Sequence, residues 1–216
     1  MTEDDRAIRM RDYYDARAGE YDSTTYELMQ HDRDAVEDLA ALETFVAGLG
    51  PGRVLDVGCG TGWMTRLLAG PVVALDASEA MLRHTGLRVP AAELQHATVP
   101  PLPFPDSSFV RVFASHLYSH LDTDELRQAF LTEALRVAEE LVVVEQQWQP
   151  ALAAPEEWQD VWHDGWHERR LGDGTRYPVY KRYLSPAELA EELGGRVVHE
   201  SPAFLAVRTG HARVRI

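Results

Sequence analysis

Val54-Leu55-Asp56-Val57-Gly58-Cys59-Gly60-Thr61-Gly62 decides the fold of this chain. Arg53 to Val57 is the β-branched and apolar run of a buried strand, and glycines follow it at 58, 60 and 62. Glycine has no Cβ, so the backbone can turn sharply there and approach a ligand closely. Trp63 to Leu68 then carries helical spacing. A strand, a glycine turn and a helix start place free backbone N–H groups at the carboxyl edge of a sheet, where open α/β sheets bind ligands. A small ligand with a negative or acceptor-rich part is expected at that edge.

Spacing narrows the choice of ligand. The dinucleotide fingerprint G-x-G-x-x-G needs its third glycine where Trp63 stands, so a nicotinamide dinucleotide fits poorly. The P-loop also fails, because no Gly-Lys-Ser or Gly-Lys-Thr occurs and Lys181 is the sole lysine of the chain.

Read as D-x-G-x-G-x-G, the residues Asp56, Gly58, Gly60 and Gly62 resemble the first motif of the class I S-adenosylmethionine-dependent methyltransferases. The small-molecule group that looks like the ubiquinone and menaquinone biosynthesis enzymes is the nearest in pattern. A second strand, Val72 to Leu75, ends in Asp76 and runs into Ala77-Ser78-Glu79-Ala80-Met81-Leu82, as in the family's second motif. Leu102-Pro103-Phe104-Pro105-Asp106-Ser107-Ser108-Phe109 matches its entry into the fourth strand. The resemblance covers roughly residues 10 to 145. It implies a Rossmann-like three-layer α/β sandwich, with a mostly parallel seven-stranded sheet, an antiparallel closing strand and a helical, aromatic lid insertion. The implied activity is methyl transfer from S-adenosylmethionine (EC 2.1.1.-). A catalytically silent S-adenosylmethionine-binding or scaffold protein is the alternative.

Composition sets outer limits. At 216 residues the chain is expected to form one domain: N-terminal helices over 1–50, a cofactor-binding core over 51–145, the lid over 146–184 and a closing helix and strands over 185–216. A formal net charge of -14 argues against a nucleic-acid partner held by its phosphates, which needs a cationic surface. One cysteine, Cys59, excludes an intrachain disulfide and points to a reducing compartment. No apolar run approaches 18 residues, and the acidic start does not read as a leader, so a cytoplasmic protein without a membrane span is expected. A homodimer is left open.

Along the chain, residues 5–48 read as two or three helices. Ala91 to Thr98 holds a short third strand, Phe109 to Ser115 the fourth and Leu141 to Val144 the fifth, whose continuous apolar run suits the middle of a parallel sheet. Asp122 or Thr123 caps the helix between the last two. Ser185-Pro186 opens a last helix, and Arg196 to Glu200 with Ala203 to Arg208 read as a closing antiparallel pair. Between Gln146 and Tyr183 stand Trp148, Trp158, Trp162, Trp166, Tyr177, Tyr180 and Tyr183. Trp158, Trp162 and Trp166 are four apart, the spacing of one stripe on a helix.

Asp76, at the end of its strand, can accept from both ribose hydroxyls, and the resemblance assigns it that role; the other reading is an N-cap for the next helix. By resemblance, Asp56, Gly58, Cys59, Gly60 and Gly62 hold the methionine end of the cofactor, with Ser115 beside them. Ala77 and Met81 would lie along the adenine, Ala97 and Thr98 at its amino edge, where the family usually has an acidic residue, and Tyr14 and Tyr21 would close over the cofactor. The tyrosines could equally be packing aromatics. His116 and His120 leave the fourth strand at the mouth of the site and are the candidate bases, His116 preferred, titrating near neutral pH. Tyr118, Trp158, Trp162 and Trp166 are the candidate acceptor-binding residues. His163 and His167 stand four apart but lack a third ligand at helical spacing, so no metal is expected.

Overall fold

The computed structural model describes residues 3–147 and 165–210. Its centre is a seven-stranded sheet in the order β3-β2-β1-β4-β5-β9-β8. The strands are β1 (Val54–Val57), β2 (Val72–Asp76), β3 (Glu93–His96), β4 (Phe109–Ser115), β5 (Ala138–Gln146), β8 (Arg196–Glu200) and β9 (Phe204–Gly210). The first five run parallel, and β9 pairs antiparallel with both β5 and β8. This is the Rossmann-like, mostly parallel seven-stranded sheet with an antiparallel closing strand that the resemblance implied. Strand order reverses between β1 and β4, so the crevice at their carboxyl ends is the natural ligand site.

Both faces of the sheet are covered, which is why its central strands read as unbroken apolar runs. Leu55, Val57, Val112, Leu141 and Val143 pack on one side against Phe130 and Ala134 of α5 (Asp124–Val137) and Leu189 of α6 (Pro186–Glu192). Val54, Phe113, Val142 and Val144 pack on the other against Leu39, Leu42 and Val46 of α3 (Arg33–Ala47). Four helices begin where a side chain can take their first amides: Asp32 for α3, Ser78 for α4 (Glu79–Arg88), Thr123 for α5 and a Ser185–Glu188 capping box for α6. The N-terminal segment forms α1 (Glu3–Arg17), α2 (Tyr21–Thr25) and a 3-10 turn at Leu28–His31.

Two expectations fail. Trp63 to Leu68 is not an α-helix but a bend closing in a single 3-10 turn, Thr65–Leu67. Between Gly62 and β2 the chain makes only this 3-10 turn before Leu68 becomes extended, so no α-helix dipole stands behind the glycine loop. The lid is also not helical where it is described. Trp166 lies on β6 (Gly165–Arg170), which pairs antiparallel with β7 (Arg176–Lys181). The four-residue spacing of the tryptophans suggested a helix, but Gly172-Asp173-Gly174-Thr175 makes a hairpin turn, with Gly174 at φ +90° and Leu171 N–H donating to the Thr175 carbonyl at 2.9 Å. Trp158, Trp162 and His163 fall outside the described residues. Among the described residues, no helix is long and apolar enough to cross a membrane.

The hairpin and α1 meet above the carboxyl edge of the sheet. Tyr13 of α1 packs with Leu171 and Val179 of the hairpin, and Tyr14 and Tyr177 join them. Arg182 N–H donates to the Ser119 carbonyl at 2.9 Å, and Gly172 N–H to Glu20 Oε2 at 3.0 Å. The site is therefore roofed from two sides.

Candidate active site

The glycine loop folds as its composition requires. Gly58, Gly60 and Gly62 hold φ of +70°, +56° and +78°, a region other residues rarely adopt. A Cβ at Gly62 would press on Thr85 and one at Gly58 on Leu117, whereas one at Gly60 would meet nothing within 4 Å. Gly60 therefore faces the open crevice, the place where a ligand can lie against bare backbone. Tyr21, Tyr26, Asp56, Cys59, Thr61, Trp63, Met64 and Ser115 line a small cavity beside it. Among the described residues Ser115 Oγ is buried there without a partner, an arrangement that suits a polar ligand atom.

Two carboxylates frame the loop. Asp76 accepts from Gly60 N–H at 2.9 Å and Ser78 N–H at 2.8 Å, one on each oxygen. An ionised carboxylate has about four acceptor positions. The Ala77 amide also acts on this carboxylate, and the capacity left over is what a ribose hydroxyl could use. Burial raises the Asp76 carboxyl, and the amides of Ser78 and Gly60 oppose the shift. Asp56, 2 % exposed, accepts from Thr65 Oγ1 at 2.6 Å. Burial pushes its carboxyl up to about 7, the Thr65 bond working against the shift and the Asp76 charge adding to it. A cation placed between these groups would favour ionisation of both.

The N-terminal segment is tied onto this frame by residues that the sequence pattern did not single out. Asp15 accepts from Ser78 Oγ at 2.6 Å and Ala80 N–H at 3.2 Å, a carboxylate at the start of α4. Asp22 accepts from Thr61 Oγ1 at 2.6 Å and from Arg88 at 2.5 Å, while Arg88 also donates to the Thr61 carbonyl at 2.6 Å. Tyr26 stacks on Trp63 with centroids 4.6 Å apart. Tyr21 lines the cavity, and Tyr14 lies beside it at 6.2 Å between ring centres.

At the adenine end the placement is mixed. Met81 is 1 % exposed and its N–H is held by the Ser78 hydroxyl. Ala97 spends its N–H on the Asp76 carbonyl at 3.1 Å, and Thr98 is exposed. Neither amide nor side chain there stands out as an adenine donor. His96 Nε2 lies 2.9 Å from the Ala77 carbonyl and closes this side of the crevice.

The acceptor end is more polar than the sequence suggested. His116, at φ +58°, and His120 both sit at the mouth, near a buried trio of Ser119, Glu145 and Lys181. Lys181 Nζ donates to Ser119 Oγ at 2.6 Å and lies 3.4 Å from Glu145 Oε2. Burial works against ionising Glu145, but the Lys181 ammonium and the Ser119 bonds hold its carboxyl below the usual range. Burial, with Lys181 adding to it, drives His116 down to about 4 and His120 to about 3. The expected titration near neutrality is thus corrected: both imidazoles are neutral at pH 7. Tyr118 is also corrected. Its ring is buried against Phe130 and its hydroxyl donates to Glu192 at 3.0 Å, so it belongs to the core rather than to the acceptor site. The sole lysine of the chain was the available signal for the trio, and its isolation among aromatics gave no hint of a partner.

Known proteins match this arrangement. The methyltransferase domain family profile matches residues 54–140. The solved DhpI–SAM–HEP complex is 31 % identical, with a TM-score of 0.74 over 96 % of this chain and 99 % of that one. The chain belongs to the class I S-adenosylmethionine-dependent methyltransferases. S-adenosylmethionine is its cofactor, and the DhpI–SAH complex, 29 % identical over 98 % of this chain and 100 % of that one at the same TM-score, agrees. Two curated methyltransferases match over shorter stretches. A probable S-adenosylmethionine-dependent methyltransferase of Mycolicibacterium smegmatis is 34 % identical over 87 residues, 39 % of this chain and 33 % of that protein. A malonyl-(acyl-carrier protein) O-methyltransferase of Erwinia pyrifoliae is 46 % identical over 66 residues, 29 % of this chain and 25 % of that protein. The matches thus span about a third and a quarter of the length of those two relatives. In this methyltransferase, Asp76 would hold the ribose, Gly60 and Ser115 would lie along the chain to the sulfonium, and Asp56 would face the cationic end.

Proposed function

We propose that the chain transfers the methyl group of S-adenosylmethionine to a small, largely apolar or aromatic molecule at an oxygen, nitrogen or activated carbon. The observation that carries this reading is the roof: α1 and the β6–β7 hairpin close over the carboxyl edge with Tyr13, Tyr14, Leu171, Tyr177 and Val179. Such rings supply apolar walls with a few polar handles, and a roofed crevice suits a small acceptor rather than an extended polymer. DhpI, similar along nearly the whole chain, is seen with SAM and HEP together, which supports an acceptor held beside the cofactor in the same fold. The net charge of -14 speaks against nucleic acid as the acceptor.

Methyl transfer from a sulfonium has a good leaving group, so most acceleration comes from alignment and exclusion of water. The roof provides both. A screen of phenols, alcohols, amines and carbon acids with tritiated methyl donor tests the reading, and the expected outcome is turnover of a compact aromatic acceptor. Tight S-adenosylhomocysteine binding with no turnover across the screen would instead support the silent binding protein.

A further inference from the structure

Tyr14 and His120 form a hydrogen-bonded pair between the cofactor cavity and the hairpin, Tyr14 Oη lying 2.9 Å from His120 Nε2. The other ring nitrogen, Nδ1, lies 2.5 Å from the Tyr180 carbonyl. A carbonyl can only accept, so Nδ1 carries the proton and Nε2 presents a lone pair. The phenol must then donate to Nε2, which leaves its oxygen free to accept a further hydrogen bond. Tyr14 also neighbours Tyr21, which lines the cavity. His116, by contrast, packs its ring 5.9 Å from Phe204 and makes no such bridge to the N-terminal helix.

We propose that Tyr14 is the catalytic residue that takes the acceptor's proton, that His120 is the positioning residue behind it, and that the acceptor therefore arrives protonated, as a hydroxyl or a neutral amine. This rests on the methyl-transfer reading above. As the acceptor atom bonds to the methyl carbon, the carbon–sulfur bond breaks and its electron pair stays on sulfur. The acceptor's proton passes to Tyr14 Oη while Tyr14's own proton passes to His120 Nε2, and the imidazolium later releases it to water. One positive charge disappears at sulfur and one appears on the imidazole, so the buried site keeps its net charge. That exchange offsets the low basicity of an imidazole held down by burial, by Lys181 and by His116, with Glu145 and the Tyr180 carbonyl acting the other way. Tyr14 keeps its proton in the resting site because burial raises its phenol, with Tyr21, Tyr13 and Asp76 adding to the shift and Arg17 opposing it.

The test needs no acceptor in its first arm. In protein labelled with 15N-histidine and saturated with S-adenosylhomocysteine, His120 should show a protonated Nδ1 and a bare, hydrogen-bonded Nε2, unchanged from pH 5 to 8. Tyr14→Phe should shift Nε2 alone. An Nε2-protonated tautomer, titration near pH 6.5, or indifference to Tyr14→Phe would overturn the relay whatever the acceptor is. In the second arm, with an acceptor from the screen, Tyr14→Phe should lower turnover about a hundredfold while S-adenosylhomocysteine affinity changes less than about threefold. Wild-type turnover should carry a solvent isotope effect with two protons in transit, and His120→Gln should abolish its two-proton character. Undiminished turnover in Tyr14→Phe overturns the proposal and leaves the methyl-transfer reading intact. Absence of turnover by the wild type, with the expected tautomer, counts against that reading instead.

Discussion

Asp56→Asn should make the cofactor-free protein more stable at neutral pH and worse at its task. Asp56 is 2 % exposed and its carboxyl is pushed from an ordinary 3.8 up to about 7, chiefly by burial. The folded chain therefore keeps a proton between about pH 4 and 7 that the unfolded chain has already released. Folded protein binds more protons across that window, so stability falls as pH rises through it, and the full cost is present above pH 7. About three pKa units correspond to about 4 kcal/mol. Asparagine removes the charge and can still accept from Thr65, yet it adds an amide that needs a partner, so about half of that, about 2 kcal/mol, is expected at pH 8. For a chain of this size the midpoint of thermal unfolding should rise by about 4 to 8 °C at pH 8 and hardly change at pH 4. Calorimetry of both proteins at pH 4, 6 and 8, without cofactor, measures it. An Asn variant no more stable than wild type at pH 8, or one with the same pH slope, would refute the reasoning. The same substitution should weaken S-adenosylmethionine more than S-adenosylhomocysteine, because the former brings a sulfonium charge in addition to the ammonium that both carry.

Arg88→Met should unlatch Asp22 and Thr61 and weaken S-adenosylhomocysteine about tenfold, mostly through faster dissociation seen by stopped flow, since charge-assisted bonds of 2.5 and 2.6 Å are lost. Turnover at saturating S-adenosylmethionine, whose positive charge keeps Asp56 ionised, should be independent of pH from about 5.5 to 8.5 for a hydroxyl acceptor, because burial holds His116 and His120 down to about 4 and about 3; a profile rising through pH 6.5 would contradict the burial of either ring. Lys181→Met should destabilise the fold by about 3 to 5 kcal/mol by stranding Glu145, and adding Glu145→Gln should recover most of the loss in urea unfolding. If the double variant is as unstable as the single one, packing of the lysine stem rather than its charge is what matters.

Most of the sheet was legible because its signals are local. β1, β2, β4 and β5 announce themselves as apolar runs, and Asp56, the glycines and Asp76 follow at strand ends where backbone geometry fixes the residue type. The misreadings concern residues whose role depends on tertiary partners. Trp63 to Leu68 has helical spacing, yet the chain makes one 3-10 turn and turns extended at Leu68 on its way into β2. Trp166 fits a helical stripe, yet the Gly172–Gly174 turn overrides it and builds a hairpin. Tyr118 follows the fourth strand as an acceptor contact would, and only its bond to Glu192, 74 residues later, shows it belongs to the core. Asp15 and Asp22 lay within a stretch already marked by its tyrosines. Their partners, Ser78, Thr61 and Arg88, are 39 to 66 residues away, and no spacing rule reaches that far.

The central claim is that Asp76 and the glycine loop hold S-adenosylmethionine at the carboxyl edge of the sheet. Titration calorimetry of the wild type and Asp76→Ala with S-adenosylhomocysteine tests it most directly, since the product analogue needs no acceptor and brings no sulfonium charge. The account predicts one site per chain in the wild type and a loss of about 1 to 3 kcal/mol in the variant, the worth of the hydrogen bonds to a charged carboxylate. No binding by the wild type, or equal affinity in the two proteins, would contradict it.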